Sequence, residues 1–546
     1  MTPRIITPNV SPIIQEIRGK TTVSDLLRNI LPTLNPANPI LLQAGTGAGK
    51  TRAILDVVVP FAAEHGQKIL FVSSRAAIST QFKTNLARAI KRPEILTEYT
   101  AEGLRKLQEI GHVKILTFHA LWGQLCSGNI DLRSFDYLVW DEIHALALDS
   151  TFVPYTGELL GRVVRSCAGV RRIYLSATPE PILDKLAQWE GLPVLTVYRW
   201  KSQYDRFLLH FYNGLKDLAQ HFRSIPEDER VLIFVSSVRE GEVLQRMFPD
   251  SYLITSETRN HAPDKWEQLL STQTLPTRFT ITTTTLDAGV SLTDPALKHI
   301  VCESLDFAQI VQEAGRKRLK SGEKLNIYLR DPTRQQLGNQ LKSTQQTLAN
   351  LAVCTETPNT FVRRFILGNE QPELRGMCCS NELLGMAWDK ITQGFYGNPT
   401  NFIKFSVNPL AVDRLMQQAA LYSRLLAKKG DRPLEKHICK LFGQQVPQDP
   451  SCWLDGSHVT SNDHSFLQWL AEKVNQSMGT ESERTKFAAD FRSKYEAVYG
   501  PRKGSRADRP TWGLSIIKKI LAELNLGYKM ESDRGVWYLV DTRIVP

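Results

Sequence analysis

Between residue 39 and about residue 330 the chain alternates short, nearly continuous apolar runs with longer amphipathic stretches. The runs are PILLQ (39–43), KILFVS (68–73), VKILTF (113–118), YLVWDE (137–142), RRIYLSAT (171–178), RVLIFVSS (230–237), RFTITTTT (278–285), HIVCES (299–304) and LNIYLRD (325–331). Strands without a polar face need cover on both sides, which a parallel sheet flanked by helices supplies. The stretch TVYRWKSQYDRFLLHFYN (196–213) interrupts the alternation and reads as an aromatic, basic connector, so two such sheets are expected, divided near residue 200. Beyond about 335 the texture becomes rich in Leu, Ala and Gln. Runs such as QQTLANLAVC and VDRLMQQAALYSRLLAKK carry apolar residues three and four apart, as packed helices do. The last 46 residues hold a basic loop, GPRKGSRADRP, then a helical stretch and two strand-like runs around ESDRG. That order is compatible with a winged-helix module, although many small α+β units share it.

The expected plan is therefore an N-terminal extension (1–38), two α/β domains (39–199 and 200–335), a mainly helical accessory domain (336–500) and a basic α+β module (501–546). A length of 546 residues accommodates several domains.

One segment carries specific chemistry. ILLQAGTGAGKTRAILD (40–56) reads as strand, glycine-rich turn and helix. Ala44 stands where the commonest P-loop pattern has its first glycine, and Gly45, Thr46, Gly47, Ala48 and Gly49 follow. Small residues let successive backbone N–H groups converge on a polyphosphate at a helix N-terminus, and Lys50 can reach the outer phosphates. Thr51 offers a hydroxyl to Mg²⁺. The loop is expected to bind a nucleoside triphosphate together with Mg²⁺.

The second piece is the acidic pair Asp141–Glu142, at the end of an apolar strand. Carboxyl ends of parallel strands line the ligand crevice, so both carboxylates are expected to face the phosphates. Asp141 would hold the metal and Glu142 would orient and deprotonate the attacking water.

Composition narrows the partner. Hydrophobic residues make up 42% and charged residues 23%, which excludes a disordered chain, and a formal net charge of +11 biases the surface toward polyanions. No apolar run is long enough to span a bilayer, and the first residues lack the apolar core of a signal peptide. Nucleic acid is thus the favoured polyanion and the cytoplasm the expected compartment. None of the eight cysteines forms a C-x-x-C pair, so reduced, unpaired thiols are expected. His437, Cys439, Cys452 and His458 make only a loose cluster outside the usual zinc spacings.

Taken together, AGTGAGKT and DEIH resemble motifs I and II of the superfamily 2 helicases of the DExH type. Further matches follow in family order: VSSRAAISTQ (72–81) for motif Ia, ILTFHAL (115–121) for the segment with a strand-contacting threonine, LSATP (175–179) for motif III, VLIFVSS for motif IV, TTTLDAGVSL (283–292) for motif V and QEAGRKR (312–318) for motif VI. The resemblance spans about residues 39–330. It implies two RecA-like domains in tandem with ATP between them, and a catalytic set of Lys50, Asp141, Glu142, Gln312 and Arg316, with Arg316 as arginine finger. Arg318 would border the nucleotide, and His144, Ser176 and Thr178 would couple nucleotide to nucleic acid. The resemblance also places Ser74, Arg75, Thr117, Ser236 and Thr283 on the nucleic-acid backbone. Two positions depart from the family pattern: Leu319 stands where the second motif VI arginine is usual, and Ser291 where motif V usually has Asp or a close polar residue. The implied activity is ATP-driven movement along, or unwinding of, DNA or RNA. The alternatives are a translocase that does not unwind, or an ATP-switched clamp or assembly factor. Protein partners would use the C-terminal region, where Arg502, Lys503, Arg506 and Arg509 precede Trp512, a basic and aromatic set suited to gripping a strand.

Overall fold

The computed structural model describes residues 10–541 except 100, 192–193, 202–203, 249, 256–262, 284–289, 321, 357–373, 375–376, 381–386, 390–393, 397–404, 429–432, 448–451, 455–465, 467–468, 471, 475, 500–511, 525–527 and 534. The chain divides into two compact units, residues 1–454 and 455–546.

The first unit contains two α/β lobes, as the apolar alternation predicts. Lobe 1 is built on β1 (Ile13–Ile17), β2 (Ile40–Gln43), β3 (Ile69–Ser73), β4 (Glu109–Ile110), β5 (Val113–Thr117), β6 (Tyr137–Trp140), β7 (Arg171–Ser176) and β8 (Thr196–Trp200). Their order is β1-β8-β2-β7-β6-β3-β5-β4, and only the β4–β5 pair is antiparallel. Every residue of β2, β3 and β6 is buried, because helices cover both faces. Lobe 2 is built on β9 (Phe207–Tyr212), β10 (Arg230–Phe234), β11 (Tyr252–Ile254), β12 (Phe279–Thr282), β13 (Leu297–Cys302) and β14 (Leu325–Arg330), in the parallel order β11-β12-β10-β13-β14-β9. The architecture is that of two RecA-like domains in tandem.

Several sequence expectations differ from this outcome. The supposed extension supplies β1, which pairs parallel with β8, and the helix Val23–Ile30, which buries Val23, Leu26 and Leu27 in the lobe 1 core. A capping box between Thr22 and Asp25 starts that helix. The supposed connector 196–213 holds two strands, β8 and β9, one in each sheet. Its aromatic residues mask the alternation because Tyr198 and Trp200 sit near the sheet edge and are only partly buried.

The region after β14 also departs from a separate helical domain. Helices Arg334–Glu356 and Pro409–Ala427 pack together, and Leu425, Leu434, Ile438, Cys439 and Phe442 join one of the cores of lobe 2. A two-residue strand, Trp453–Leu454, extends the lobe 2 sheet beside β9. Short antiparallel pairs join Cys378–Ser380 to Phe405–Val407 and Ala387–Asp389 to Gly394–Tyr396.

The second unit starts at 455, not 501. Helix Glu481–Tyr499 shares a core with helix Leu514–Leu524 and with a three-stranded antiparallel sheet of Ser477–Met478, Tyr528–Asp533 and Val536–Asp541. Trp512 is 1% exposed in that core, edge-on to Phe491 and Tyr495, so it offers no face for stacking on a base. Arg502, Lys503, Arg506 and Arg509 lie outside the described residues. Among the described residues no helix is long and apolar enough to cross a membrane, and no group of three or more His, Cys, Asp or Glu is placed to hold a metal. Cys439 is buried, and His458 lies outside the described residues.

Candidate active site

Strands β2, β7 and β6 are neighbours, so the loops that follow them emerge side by side at the carboxyl edge of lobe 1. After β2 the chain turns through Gly47 and Gly49, both with positive φ (78° and 82°), into a helix that starts at Lys50. That helix widens into a π-type turn over Ile54–Val58, just before Pro60, whose ring has no N–H to give to the preceding turn. Lys50 is 6% exposed, and its ammonium donates to the carbonyls of Ala44 (2.7 Å) and Gly45 (3.1 Å). Burial lowers its pKa, with Glu142 and Asp141 opposing the shift.

The acidic pair is held by the ends of neighbouring strands. The Asp141 N–H donates to the Val72 carbonyl at 2.8 Å and the Ile143 N–H to that of Leu175 at 3.1 Å. Glu142 lies between them at φ 52°, a left-handed conformation costly for a side chain with a Cβ. Thr51 Oγ1 donates to Asp141 Oδ2 at 3.0 Å. Burial and the Glu142 charge push Asp141 up to about 7. Burial acts in the same sense on Glu142, but His144, Lys50 and the two arginines outweigh it and hold that carboxyl below its usual range. Next along the chain, His144 Nδ1 lies 3.2 Å from Glu142 Oε2 and 3.0 Å from Ser176 Oγ. Ser176 Oγ also accepts the Thr178 N–H at 3.0 Å. Burial lowers the pKa of His144, with the Glu142 charge opposing the shift.

Lobe 2 reaches this edge through the helix Phe307–Ala314. Asp306 caps it, accepting the Gln309 N–H at 3.1 Å, and Gln312 Nε2 donates to Thr178 Oγ1 of lobe 1 at 3.3 Å. Arg316 donates to the Gln312 carbonyl (3.0 Å) and to Gln312 Oε1 (3.1 Å). Arg318 donates to Ser291 Oγ at 2.9 and 3.1 Å, which gives Ser291 a role that the sequence did not reveal. The lobes touch closely here. A Cβ on Gly315 would fall 2.6 Å from Thr46 side-chain atoms, and one on Gly47 would fall 3.1 Å from Arg318 Nη1.

The residues expected on nucleic acid are spread out. Ser74 is buried, and Arg75 forms a two-point ion pair with buried Asp149, one bond at 2.7 Å. Thr117 caps the helix Phe118–Cys126 by accepting the Ala120 N–H. Ser236 is exposed just beyond β10, and Thr283 is half-buried just beyond β12, while residues 284–289 of motif V lie outside the described residues. The sequence did not reveal Asp149, which pairs with Arg75, or Asp306 and Arg414, which pair with each other beside the same cleft. Asp306 had a signal, an Asp three residues before Gln309 at a helix start; Arg414 had none.

Residues 13–181 match the family model described as "Type III restriction enzyme, res subunit". The chain is 25% identical over 302 residues to the competence protein ComFA of Streptococcus pneumoniae, a match covering 50% of this chain and 63% of that protein. It therefore spans less than two thirds of that relative. Similar solved structures include the DEAD-box helicase Mss116 bound to ssRNA and UDP-BeF (14% identity, 66% of this chain and 91% of that one, TM-score 0.43). Another is the Mycobacterium smegmatis helicase Lhr bound to ssDNA and AMP-PNP (17% identity, 76% of this chain and 63% of that one, TM-score 0.41).

Proposed function

We propose that the chain is a nucleic-acid-dependent ATPase of the superfamily 2 helicase type, with a DExH motif II, that uses ATP hydrolysis between its lobes to move along or unwind DNA or RNA. The observation that carries this reading is the convergence of Lys50, Asp141 and Glu142 from lobe 1 with Gln312, Arg316 and Arg318 from lobe 2 on one edge, where Gly315 meets Thr46. The match of residues 13–181 and the net charge of +11 agree with it.

In this reading the loop N–H groups and Lys50 bind the triphosphate, the lysine leaving its loop carbonyls for the outer phosphates. Glu142 takes a proton from the attacking water and is kept ionised by the cations around it. Arg316 meets charge developing on the transferred phosphoryl group, and Arg318 braces the loop side. Asp141 Oδ1 is buried with no hydrogen-bond partner, and a carboxylate beside a hydroxyl suits a hard cation, so Thr51 and Asp141 would hold Mg²⁺. Bound there, Mg²⁺ would neutralise phosphate charge. Because catalytic groups come from both lobes, turnover requires closure. The path from Gln312 through Thr178 and Ser176 to His144 and Glu142 would link closure to hydrolysis.

The test is steady-state ATP turnover with single-stranded DNA, single-stranded RNA and duplexes, in the parent and in Lys50→Ala. Stimulation by a single strand, lost in Lys50→Ala, is expected. Turnover that no polymer changes and that survives in Lys50→Ala would refute the assignment. Strand separation on a tailed duplex then distinguishes a helicase from a translocase, and binding that merely follows nucleotide state identifies a clamp.

A further inference from the structure

We infer that Arg414 is a positioning residue for nucleotide hydrolysis: from a helix outside both sheets it holds Asp306 and thereby sets the helix that carries Gln312 to the cleft and leads into Arg316. The inference rests on the ATPase reading above.

The helix Pro409–Ala427 is seated in both lobes. At its start, Asn408 donates to the Ser150 and Val153 carbonyls and to Thr156 Oγ1, and Leu410 enters the lobe 1 core. Asp413 pairs with Lys185 at 3.1 Å, and Gln417 donates to the Pro181 carbonyl at 3.4 Å. Toward its end, Leu421, Tyr422, Leu425 and Leu426 pack in the lobe 2 core that includes Ile310 and Val311, residues of the Gln312 helix itself.

Arg414 sits between these two seats, 5% exposed, and its guanidinium pairs with Asp306 Oδ2. The other carboxylate oxygen of Asp306 accepts the Gln309 N–H and so fixes the first turn of the Phe307–Ala314 helix. One carboxylate thus ties the start of the motif VI helix to a helix anchored on the opposite lobe. Arg414 also lines a cavity of about 60 Å³ together with Glu142, His144, Gln309, Gln312 and Arg316. Without the arginine, a partly buried carboxylate loses its counter-charge at the point where the helix is aimed. A lysine keeps the charge but not the planar fork.

The test compares kcat and KM for ATP at saturating single strand in the parent, Arg414→Ala, Arg414→Lys, Asp306→Asn and the Arg414→Ala/Asp306→Asn double variant, with thermal midpoints alongside. Asparagine at 306 keeps one oxygen to cap the helix, so that variant removes the charge and turns an amide N–H toward Arg414 while the cap remains. A misplacement of about 1 Å at a catalytic group costs up to about 100-fold. Arg414→Ala and Asp306→Asn are each expected to lower kcat about 10-fold or more with KM for ATP within about twofold. Arg414→Lys should fall between them and the parent, and the double variant should be no slower than the slower single one. Asp413→Ala, on the same helix but paired only with lobe 1, should keep the parent kcat. Unchanged kcat in Arg414→Ala, losses that multiply in the double variant, or a loss confined to KM would overturn the inference. Should Arg414→Ala fail to fold, parent-like kcat in Asp306→Asn and Arg414→Lys would do the same. A parent chain that does not hydrolyse ATP would instead remove the function on which the inference rests.

Discussion

Asn408 anchors the helix Pro409–Ala427 on lobe 1, and two substitutions separate its two jobs. It is 2% exposed; its amide donates to Ser150 O (3.2 Å), Val153 O (3.1 Å) and Thr156 Oγ1 (2.9 Å), while its Oδ1 accepts the Leu410 N–H (3.1 Å) as a helix cap. The fit is close: a Cβ on Gly157 would lie 2.6 Å from Asn408 Oδ1 and 2.7 Å from Pro409 Cδ. Asn408→Ala loses the cap, worth about 1 kcal/mol. It also withdraws the donor from three buried acceptors, at roughly 0.5–1 kcal/mol each after partial relaxation. The sum is about 3 kcal/mol. Asn408→Asp is the informative partner, because Asp caps as well as Asn but turns a carboxylate toward three oxygens. It should therefore destabilise more than alanine does. Urea unfolding of the full chain should rank the midpoints of its first unit parent, Ala, Asp, with unchanged slope. An Asp variant as stable as the parent would mean that capping is the whole role and that the three donated bonds contribute nothing.

Glu142→Gln should retain ATP and nucleic-acid binding while turnover falls by orders of magnitude, since Asp141 and Thr51 are untouched; parent-rate hydrolysis would exclude Glu142 as the base. Arg316→Ala should leave ATP affinity nearly intact and lower kcat by about 10³-fold or more, the usual cost of losing an arginine finger. Arg318→Ala should cost less, because its side chain lies against Gly47 and Ser291; a larger loss at 318 in a kcat comparison would exchange the two roles. Truncation should depend on where it falls. A chain ending at 454 should keep ATP turnover, whereas one ending at 500 removes Trp512, Ile517, Ile520 and Leu521 from the core of Phe487 and Phe491 and should aggregate, as light scattering would report. Equal solubility of the two truncated chains would contradict the unit boundary.

Features that depend on consecutive residues were legible in the chain itself. The loop 44–51 needs small residues, a lysine and a threonine in one short run, so the proposed phosphate cradle is complete within that run whatever surrounds it. The strands were legible for the same reason: β2, β3 and β6 are buried on both faces, so they read as unbroken apolar runs. The order of the short motifs along the chain also pointed to two lobes in tandem. Where a residue's role depends on a distant partner, the local pattern carried no such information. Thr117 and Arg75 suit a nucleic-acid strand equally well by type, yet the fold gives one a helix to cap and the other Asp149 to pair with. Trp512 beside a basic run suggested a stacking platform, but the aromatic core built by Phe491 and Tyr495 encloses it. The pairing of β1 with β8 joins segments far apart in sequence, and a one-sided edge strand such as β1, with Ile13 and Ile14 exposed, lacks the buried pattern that announces a strand. Arg414 is the clearest case. On a helical run it is one more polar residue, and only the seating of that helix across both lobes brings its charge to Asp306 and the edge of the cleft proposed to be catalytic. Local chemistry was written in the sequence because backbone conformation and burial pattern are short-range properties; partner choice was decided by tertiary structure because it depends on which distant surfaces the folded chain brings within a few ångströms.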